Sequence, residues 1–455
     1  MKITLIGAGS SQFGMGMMSD IFLCEELNGA EICLMDINAE TLERTAQKGI
    51  NFIDANNLPY RITSTTNRKE AVKDADFIII SIEVGDRFEL WDIDWTIPHQ
   101  FGINQVYGEN GGPGGLFHAL RITPPILEIC EDISNISPEA YVFCYSNPMT
   151  AITTTVKRKF PNLRFTGMCH EIASLTRYLP SILDTSIENI SFRAAGLNHF
   201  SVMLEAKYKD SGKNAYPDVM EKAPSFFEKE PGFSELLEYY NKTGKVIQTE
   251  GSESRFITGE GIKTRSWSDR HLFKFIMENF NLLPITTDSH IGEYISWAHS
   301  VSDHKGILDF YNYYRKMMSL APEAEFEKKA VIHEKVVYIM AGIISDKKYE
   351  EQAVNILNDN FIPGLPENIA VEVPAIISKN GIEGISFPDY PKAFAALLRN
   401  YCGVYDLTAE AVIHKDRNFA VQALLVNPVV NDCRRVRDLV DYMIERQSKW
   451  LGYLN

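Results

Sequence analysis

A short apolar run, Lys2–Ile6, ends abruptly in Gly7-Ala8-Gly9-Ser10-Ser11-Gln12. No other stretch constrains the fold as much as this junction. Glycines at its first and third positions let the chain turn sharply and let its backbone approach a bound group closely. A helical texture follows to about residue 26, and a second apolar run, Glu31–Met35, ends at Asp36. Strand, glycine turn, helix, strand and a closing carboxylate are the setting in which a pyrophosphate rests on a helix N-terminus. The carboxylate would bind the ribose hydroxyls of NAD and disfavour the 2′-phosphate of NADP. The third glycine of the usual pattern is missing, because Gln12 stands in its place. Taken alone, the same residues would also make a plain tight turn and a helix-capping aspartate.

The rhythm continues. Residues 40–56 carry Leu42, Ala46, Ile50 and Ile53 at helical spacing, and Arg61–Thr65 reads as a third strand. Residues 76–82 and 140–144 are near-continuous apolar runs, as parallel strands buried on both faces require. Residues 123–133 continue a helix, and 165–168 form one more strand. This predicts an α/β chain with a Rossmann-type doubly wound parallel sheet. Near residue 190 the texture changes. Two strand-like runs, 190–195 and 201–208, flank Gly196-Leu197-Asn198-His199, and 215–350 reads as mostly helical and charged. A further apolar run lies at 369–374, and the tail from Pro391 is helical. We therefore expect a nucleotide-binding unit, 1–190, and a second unit, 191–455, to which the family resemblance given below assigns substrate and metal binding and oligomerisation.

Composition narrows the partners. The chain has 455 residues, with 45 Lys and Arg against 60 Asp and Glu, a net charge of −15. Such a surface repels nucleic acid and anionic membranes. No run approaches the ~18 apolar residues of a membrane span. Met1 and Lys2 do not begin a secretory signal, so a cytoplasmic protein is expected. The 7 cysteines are scattered and form no C-x-x-C pair, which fits buried thiols in a reducing compartment.

Three segments gather reactive side chains at strand ends, where ligands bind in open α/β sheets. They are Cys169-His170-Glu171, Asn198-His199 and Asp288-Ser289-His290, the last followed by Glu293-Tyr294. Singly, each has a bland reading: Cys169 as buried filler, His199 as a turn residue, Asp288 as a helix N-cap, Glu171 as a first-turn carboxylate.

Gly7-Ala8-Gly9-Ser10, the run Gly108-Glu109-Asn110-Gly111-Gly112-Pro113-Gly114-Gly115, Ser146-Asn147-Pro148, Cys169-His170, Gly196-Leu197-Asn198-His199 and Val371-Glu372-Val373-Pro374 occur in this order. Together they closely resemble glycoside hydrolase family 4, the NAD- and manganese-dependent glycosidases. The resemblance implies a Rossmann-type domain followed by an α+β domain like that of lactate and malate dehydrogenases. It implies NAD contacts at Gly7, Gly9, Ser10, Ser11, Asp36 and Asn147. It implies one divalent metal, usually Mn(II), on Cys169 and His199, with sugar hydroxyls and water as further ligands. It also implies a dimer or tetramer acting on a small carbohydrate.

The implied reaction oxidises carbon 3 with NAD, removes the carbon 2 proton, eliminates the aglycone, adds water and returns the hydride. Asp288 is the expected base, with Tyr294 in reserve. His170 would assist the leaving group. Glu109, Asn147, His170, Glu171 and His199 would contact the sugar, although the loop of Glu109 could equally be a glycine-rich structural turn. Cys169-His170-Glu171-Ile172 resembles the Cys-His-Glu-Val of the α-galacturonidases, which makes an α-galacturonide the expected substrate. The same-family alternatives are α-glucosides, α-galactosides and α-glucuronides. A malate-type dehydrogenase would share the fold but has no use for a metal-binding cysteine. A non-enzymatic NAD sensor would explain Asp36 but not the three reactive segments.

Overall fold

The structure is a computed structural model and describes residues 1–9, 11–245, 263–320, 326 and 331–454. Its strands are β1 (Lys2–Ile6), β2 (Glu31–Met35), β3 (Arg61–Thr65), β4 (Phe77–Ile80), β5 (Tyr141–Cys144), β6 (Arg164–Gly167), β7 (Ile190–Leu197), β8 (Phe200–Tyr208), β9 (Leu283–Pro284), β10 (Tyr349–Leu357), β11 (Ala370–Ser378) and β12 (Gly381–Gly384). They form one 12-stranded sheet in the order β3-β2-β1-β4-β5-β6-β10-β11-β7-β8-β9, with β12 on β11. β1 to β6 are parallel and follow the strand order of dinucleotide-binding sheets. The remaining pairings are antiparallel. The architecture is the expected Rossmann-type sheet with an α+β continuation.

The apolar runs explain the parallel half. Side chains alternate across a strand, so β4 feeds both faces at once. Ile78 and Ile80 pack with Leu116, Phe117 and Leu120 of the helix Gly112–Ile136. Phe77 and Ile79 pack with Leu5, Ile32, Met17 and Met18, the two methionines coming from the helix Ser11–Ile21. Each fully buried isoleucine contributes ~1.5–3 kcal/mol.

The boundary expected near residue 190 coincides with the first residue of β7. The sheet crosses it, since β6 meets β10 at Gly167 and Asn355. The helices Lys392–His414, Arg417–Val426 and Val436–Arg446 then return to the first half. Their Ala411, Leu424, Leu439 and Met443 share the core of Ile78 and Leu116.

Two expectations change. The helical texture expected up to residue 350 ends earlier, because Tyr349–Leu357 is β10. Its start is masked by Glu350, Glu351 and Gln352, and the buried Glu351 lies 3.3 Å from the Tyr349 hydroxyl. The glycine run at 108–115 is only partly a loop, because its second half opens the helix Gly112–Ile136. Among the described residues, no helix is long and apolar enough to cross a membrane.

The missing third glycine has a substitute two residues later. A Cβ on Gly14 would collide with the carbonyl oxygen of Ala8, so Gly14 lets the helix Ser11–Ile21 lie against the glycine turn. We expect Gly14→Val to destabilise the chain by ~1–3 kcal/mol in urea unfolding, the cost of overpacking. Gly16→Ala, whose Cβ would meet nothing within 4 Å, should not destabilise it.

Candidate active site

The glycine turn is built around the end of β2. Gly7 has φ +90°, and a Cβ there would strike the Ser81 carbonyl. The Gly7 and Ala8 amides donate to the Met35 carbonyl at 2.9 and 3.1 Å. The Gly9 amide donates to Asp36 Oδ2 at 2.8 Å, and the Asn38 amide to Asp36 Oδ1 at 2.9 Å. Asp36 therefore locks the turn at the end of β2. Ser10 lies outside the described residues, and Ser11 opens the helix Ser11–Ile21. Across the neighbouring strand ends, Ser146 Oγ donates to the Ile82 carbonyl at 2.8 Å and accepts from the Ile82 amide at 3.0 Å. This joins the loops after β4 and β5. The next residue, Asn147, has a buried Oδ1 without a hydrogen-bond partner.

The reactive segments do converge. Cys169 follows β6, and His199 occupies the tight turn between β7 and β8 with φ +62°. A non-glycine residue in that region stores ~1–3 kcal/mol of strain, so the turn must be held by its surroundings. Cys169 Sγ lies 3.4 Å from His199 Nε2, and Glu171 Oε2 lies 3.8 Å from the same nitrogen. His290 stacks on His199, ring centroids 4.5 Å apart and planes 9° from parallel. One ligand atom each from Glu171, His199 and His290 fits within a span of 4.8 Å.

Burial sets the charge state of this cluster. It raises the Cys169 thiol, with further push from Glu372 and Glu171. It raises the Glu171 carboxyl well above its ordinary value. It lowers His199 well below the usual imidazole range, helped by His290. Glu171 Oε2 and His199 Nδ1 are buried with no hydrogen-bond partner. A thiol, a carboxyl and neutral imidazoles with orphaned polar atoms form a donor set that a divalent cation would satisfy and deprotonate. The residues fit a metal, and Glu171 supplies the oxygen donor that a hard ion such as Mn(II) prefers.

Two buried carboxylates hold the loops. Glu372 on β11 accepts from Asn198 Nδ2 at 2.6 Å, Asn355 Nδ2 at 3.2 Å and Ser201 Oγ at 3.2 Å. It thereby fixes the turn carrying His199. Glu293 accepts from the amides of Glu109 and Asn110 at 2.6 and 3.1 Å, just before the helix Gly112–Ile136. This aims Glu109, whose Oε1 takes a 2.7 Å ion pair from Arg87.

Both expected bases have other work. Asp288 is fully buried, and its carboxylate accepts from the amides of Leu272, Phe273 and Asp303 at 2.9, 3.0 and 2.9 Å. Burial lifts it to about 7, against those backbone donors. It thereby satisfies two first-turn amides of the helix His271–Phe280. Tyr294 is packed between Phe200 and Tyr401, with its hydroxyl 3.4 Å from the Asn198 carbonyl. His170 projects outward beside the cluster. Its side chain is 60% exposed, and its Nε2 lies 2.9 Å from Glu334 Oε2.

Comparison with known proteins decides the family. The description "Family 4 glycosyl hydrolase" matches residues 2–185, and that of its C-terminal domain matches residues 194–430. The chain belongs to glycosyl hydrolase family 4. This glycosidase is 56% identical over 454 residues to an alpha-glucosidase of Erwinia rhapontici, covering 100% of this chain and 99% of the relative. It is 29% identical to an alpha-galacturonidase of Thermoanaerobacter italicus, covering 94% and 92%. In fold it is similar to a 6-phospho-beta glucosidase of Thermotoga maritima solved with manganese, NAD+ and glucose-6-phosphate. That similarity has a TM-score of 0.73 at 20% identity and covers 99% of both chains. A 6-phospho-alpha-glucosidase from gut microorganisms, in complex with NAD and Mn2+, gives 0.74 at 21% identity over 98% of both chains.

Sequence reading missed His290 as a cluster member and Glu372 as the clamp on the His199 turn. Both stood inside quoted motifs, but nothing local distinguishes a side chain that faces the cluster from one that faces the core. The capping role of Asp288 is testable. Asp288→Asn should cost ~1–3 kcal/mol in denaturant unfolding, since one acceptor becomes a donor facing backbone amides. Unchanged stability together with lost turnover would return Asp288 to the role of base.

Proposed function

We propose that this family 4 glycosidase hydrolyses α-glucosides, using NAD at the glycine turn and a divalent metal at Cys169 and His199. The convergence of Cys169, Glu171, His199 and His290 at the strand ends carries this reading. A dehydrogenase or a sensor would have no use for a half-buried thiol beside two imidazoles. The metal would be held by the Cys169 thiolate, His199 Nε2 and the Glu171 carboxylate. NAD, when bound, exchanges the carbon 3 hydride, and the metal polarises a sugar oxygen next to the carbon 2 proton.

The chain's own residues then have distinct tasks. Gly7, Gly9, Ser10 and Ser11 cradle the pyrophosphate, Asp36 takes the ribose hydroxyls, and Asn147 presents its unpaired Oδ1 between cofactor and sugar. Glu109, positioned by Glu293 and Arg87, accepts from a sugar hydroxyl. His290 faces the same space as the metal set and is the proton acceptor that this geometry favours over Asp288 and Tyr294. His170 stands at the leaving group.

A glucoside replaces the galacturonide expected from Cys169-His170-Glu171-Ile172. Support comes from the 56% identity to an alpha-glucosidase, against 29% to an alpha-galacturonidase. Chemistry agrees. Glu171 stands 3.8 Å from His199 Nε2, so its identity reports on the metal set rather than on the sugar's carbon 6. A uronate would add another anion to Glu109, Glu171 and Glu372. The neighbouring cation, Arg87, already pairs with Glu109 at 2.7 Å.

The test is a panel of aryl α-glucoside, α-galactoside, α-glucuronide and α-galacturonide with NAD, Mn(II) and a thiol reductant. The α-glucoside should turn over fastest, and a faster galacturonide would reverse the choice. Excess chelator should abolish activity, and Cys169→Ser should do the same while leaving NAD affinity unchanged. Hydrolysis in deuterium oxide should leave deuterium at carbon 2 of the released sugar, whereas displacement by two carboxylates leaves hydrogen there. His290→Gln should slow turnover by ~10²–10⁴, the loss typical of a general base.

A further inference from the structure

We infer that Glu334 is a positioning residue that holds His170 in place for departure of the aglycone. This rests on the α-glucosidase reading. The two residues are 164 positions apart, yet His170 Nε2 lies 2.9 Å from Glu334 Oε2. A side chain as exposed as that of His170 would otherwise sample several rotamers.

Three observations make the contact a mount rather than a chance surface pair. Glu334 is the N-cap of the helix Lys335–Ser345, where a carboxylate ordinarily bonds the first helical amides. It makes no such cap bond, and its carboxylate points to His170 instead. Its backbone is anchored as well. The amides of His333 and Glu334 both donate to the buried Asp20, at 2.9 and 2.7 Å. Asp20 lies on the helix Ser11–Ile21, whose N-terminus follows the glycine turn, so the mount is referenced to the nucleotide site. The far face of the imidazole is braced too. His170 stacks on Tyr145 at 5.3 Å, and Tyr145 packs on Phe13 of that same helix at 5.5 Å. Two walls, a carboxylate and a phenol ring, thus fix the plane and direction of one exposed ring.

The step served is the breaking of the bond between carbon 1 and the aglycone oxygen. The electron pair left at carbon 2 by proton removal forms the carbon 1–carbon 2 double bond, and the bonding pair goes to that oxygen, which takes a proton from the His170 imidazolium and leaves the ring neutral. The water that later adds at carbon 1 returns a proton to the ring. An alkoxide leaves poorly without that proton, whereas a nitrophenolate leaves without it. Glu334 touches neither substrate nor cofactor in this scheme. It acts through His170, by setting where the ring stands.

The experiment is a double-mutant cycle read with two leaving groups. Wild type, Glu334→Gln, His170→Ala and the double variant are assayed on methyl α-glucoside and 4-nitrophenyl α-glucoside with NAD and Mn(II). Glu334→Gln should lower kcat on the methyl glycoside by ~10–100-fold, as misplacement of a reacting group does, with KM little changed. On the nitrophenyl glycoside it should change little. His170→Ala should lower kcat on both glycosides and more steeply on the methyl glycoside, and adding Glu334→Gln to it should cost nothing more. Glu334→Asp, which keeps the charge on a shorter arm, should fall between wild type and Glu334→Gln. Thermal midpoints and NAD affinity, measured alongside, should match wild type. Additive losses in the double variant, or equal losses on both glycosides, overturn the positioning role. A wild type that cleaves neither glycoside overturns the α-glucosidase reading and this inference with it.

Discussion

The Glu372 carboxylate holds the sheet together where the chemistry sits. It takes hydrogen bonds from Asn198, Ser201 and Asn355, and so joins β11 to the β7–β8 turn and to β10. A buried carboxylate without partners would cost several kcal/mol, while hydrogen bonds to a charged group return ~1.5–3 kcal/mol each. The arrangement therefore stands or falls as a unit. It holds His199 in its left-handed turn, and His199 in turn brings its Nε2 to Cys169 and Glu171. Glu293 works in the same way on the loop of Glu109 and Asn110.

The cluster that these carboxylates present is electrostatically unfinished. Burial pushes the Cys169 thiol and the Glu171 carboxyl upward and His199 downward, each toward its uncharged form. Orphaned atoms on Glu171 and His199 add desolvation cost without compensation. A fold carries such a deficit where a ligand makes it good, and a divalent cation reverses all three tendencies at once. In the proposed set the Cys169 thiolate and the His199 imidazole would be the softer donors and the Glu171 oxygen the harder one.

Much of the frame was legible along the chain. The glycine turn, Asp36 and the unbroken apolar runs of β4 and β5 specified a parallel sheet, because a strand buried on both faces has no polar side. The ordered motifs identified the family and brought Cys169 and His199 forward as partners. Where reading failed, the cause was not local. β10 carries Glu350, Glu351 and Gln352 directly after its first residue, and only pairing with β11 makes such a segment a strand. Gly14 took the place of the absent third glycine because what matters is the distance between a helix and a turn, not the spacing of letters.

The acidic residues mark the line between the two sources of information. Asp288 and Glu293 flank His290 and Glu372 lies in the Val371–Pro374 motif, and by sequence any of them qualifies as a catalytic acid or base. The tertiary structure assigns each by its hydrogen bonds: Asp288 to the amides of Leu272, Phe273 and Asp303, Glu293 to the loop of Glu109, Glu372 to three strands. It also brings His290 onto His199 and Glu334 onto His170 across long stretches of chain. Sequence alone determined the nucleotide turn, the parallel sheet and the family, because these depend on residues that are neighbours along the chain. Only the folded structure decided which carboxylates hold the backbone and which stand beside Cys169 and His199, because burial and hydrogen-bond partners are set by residues far away in sequence.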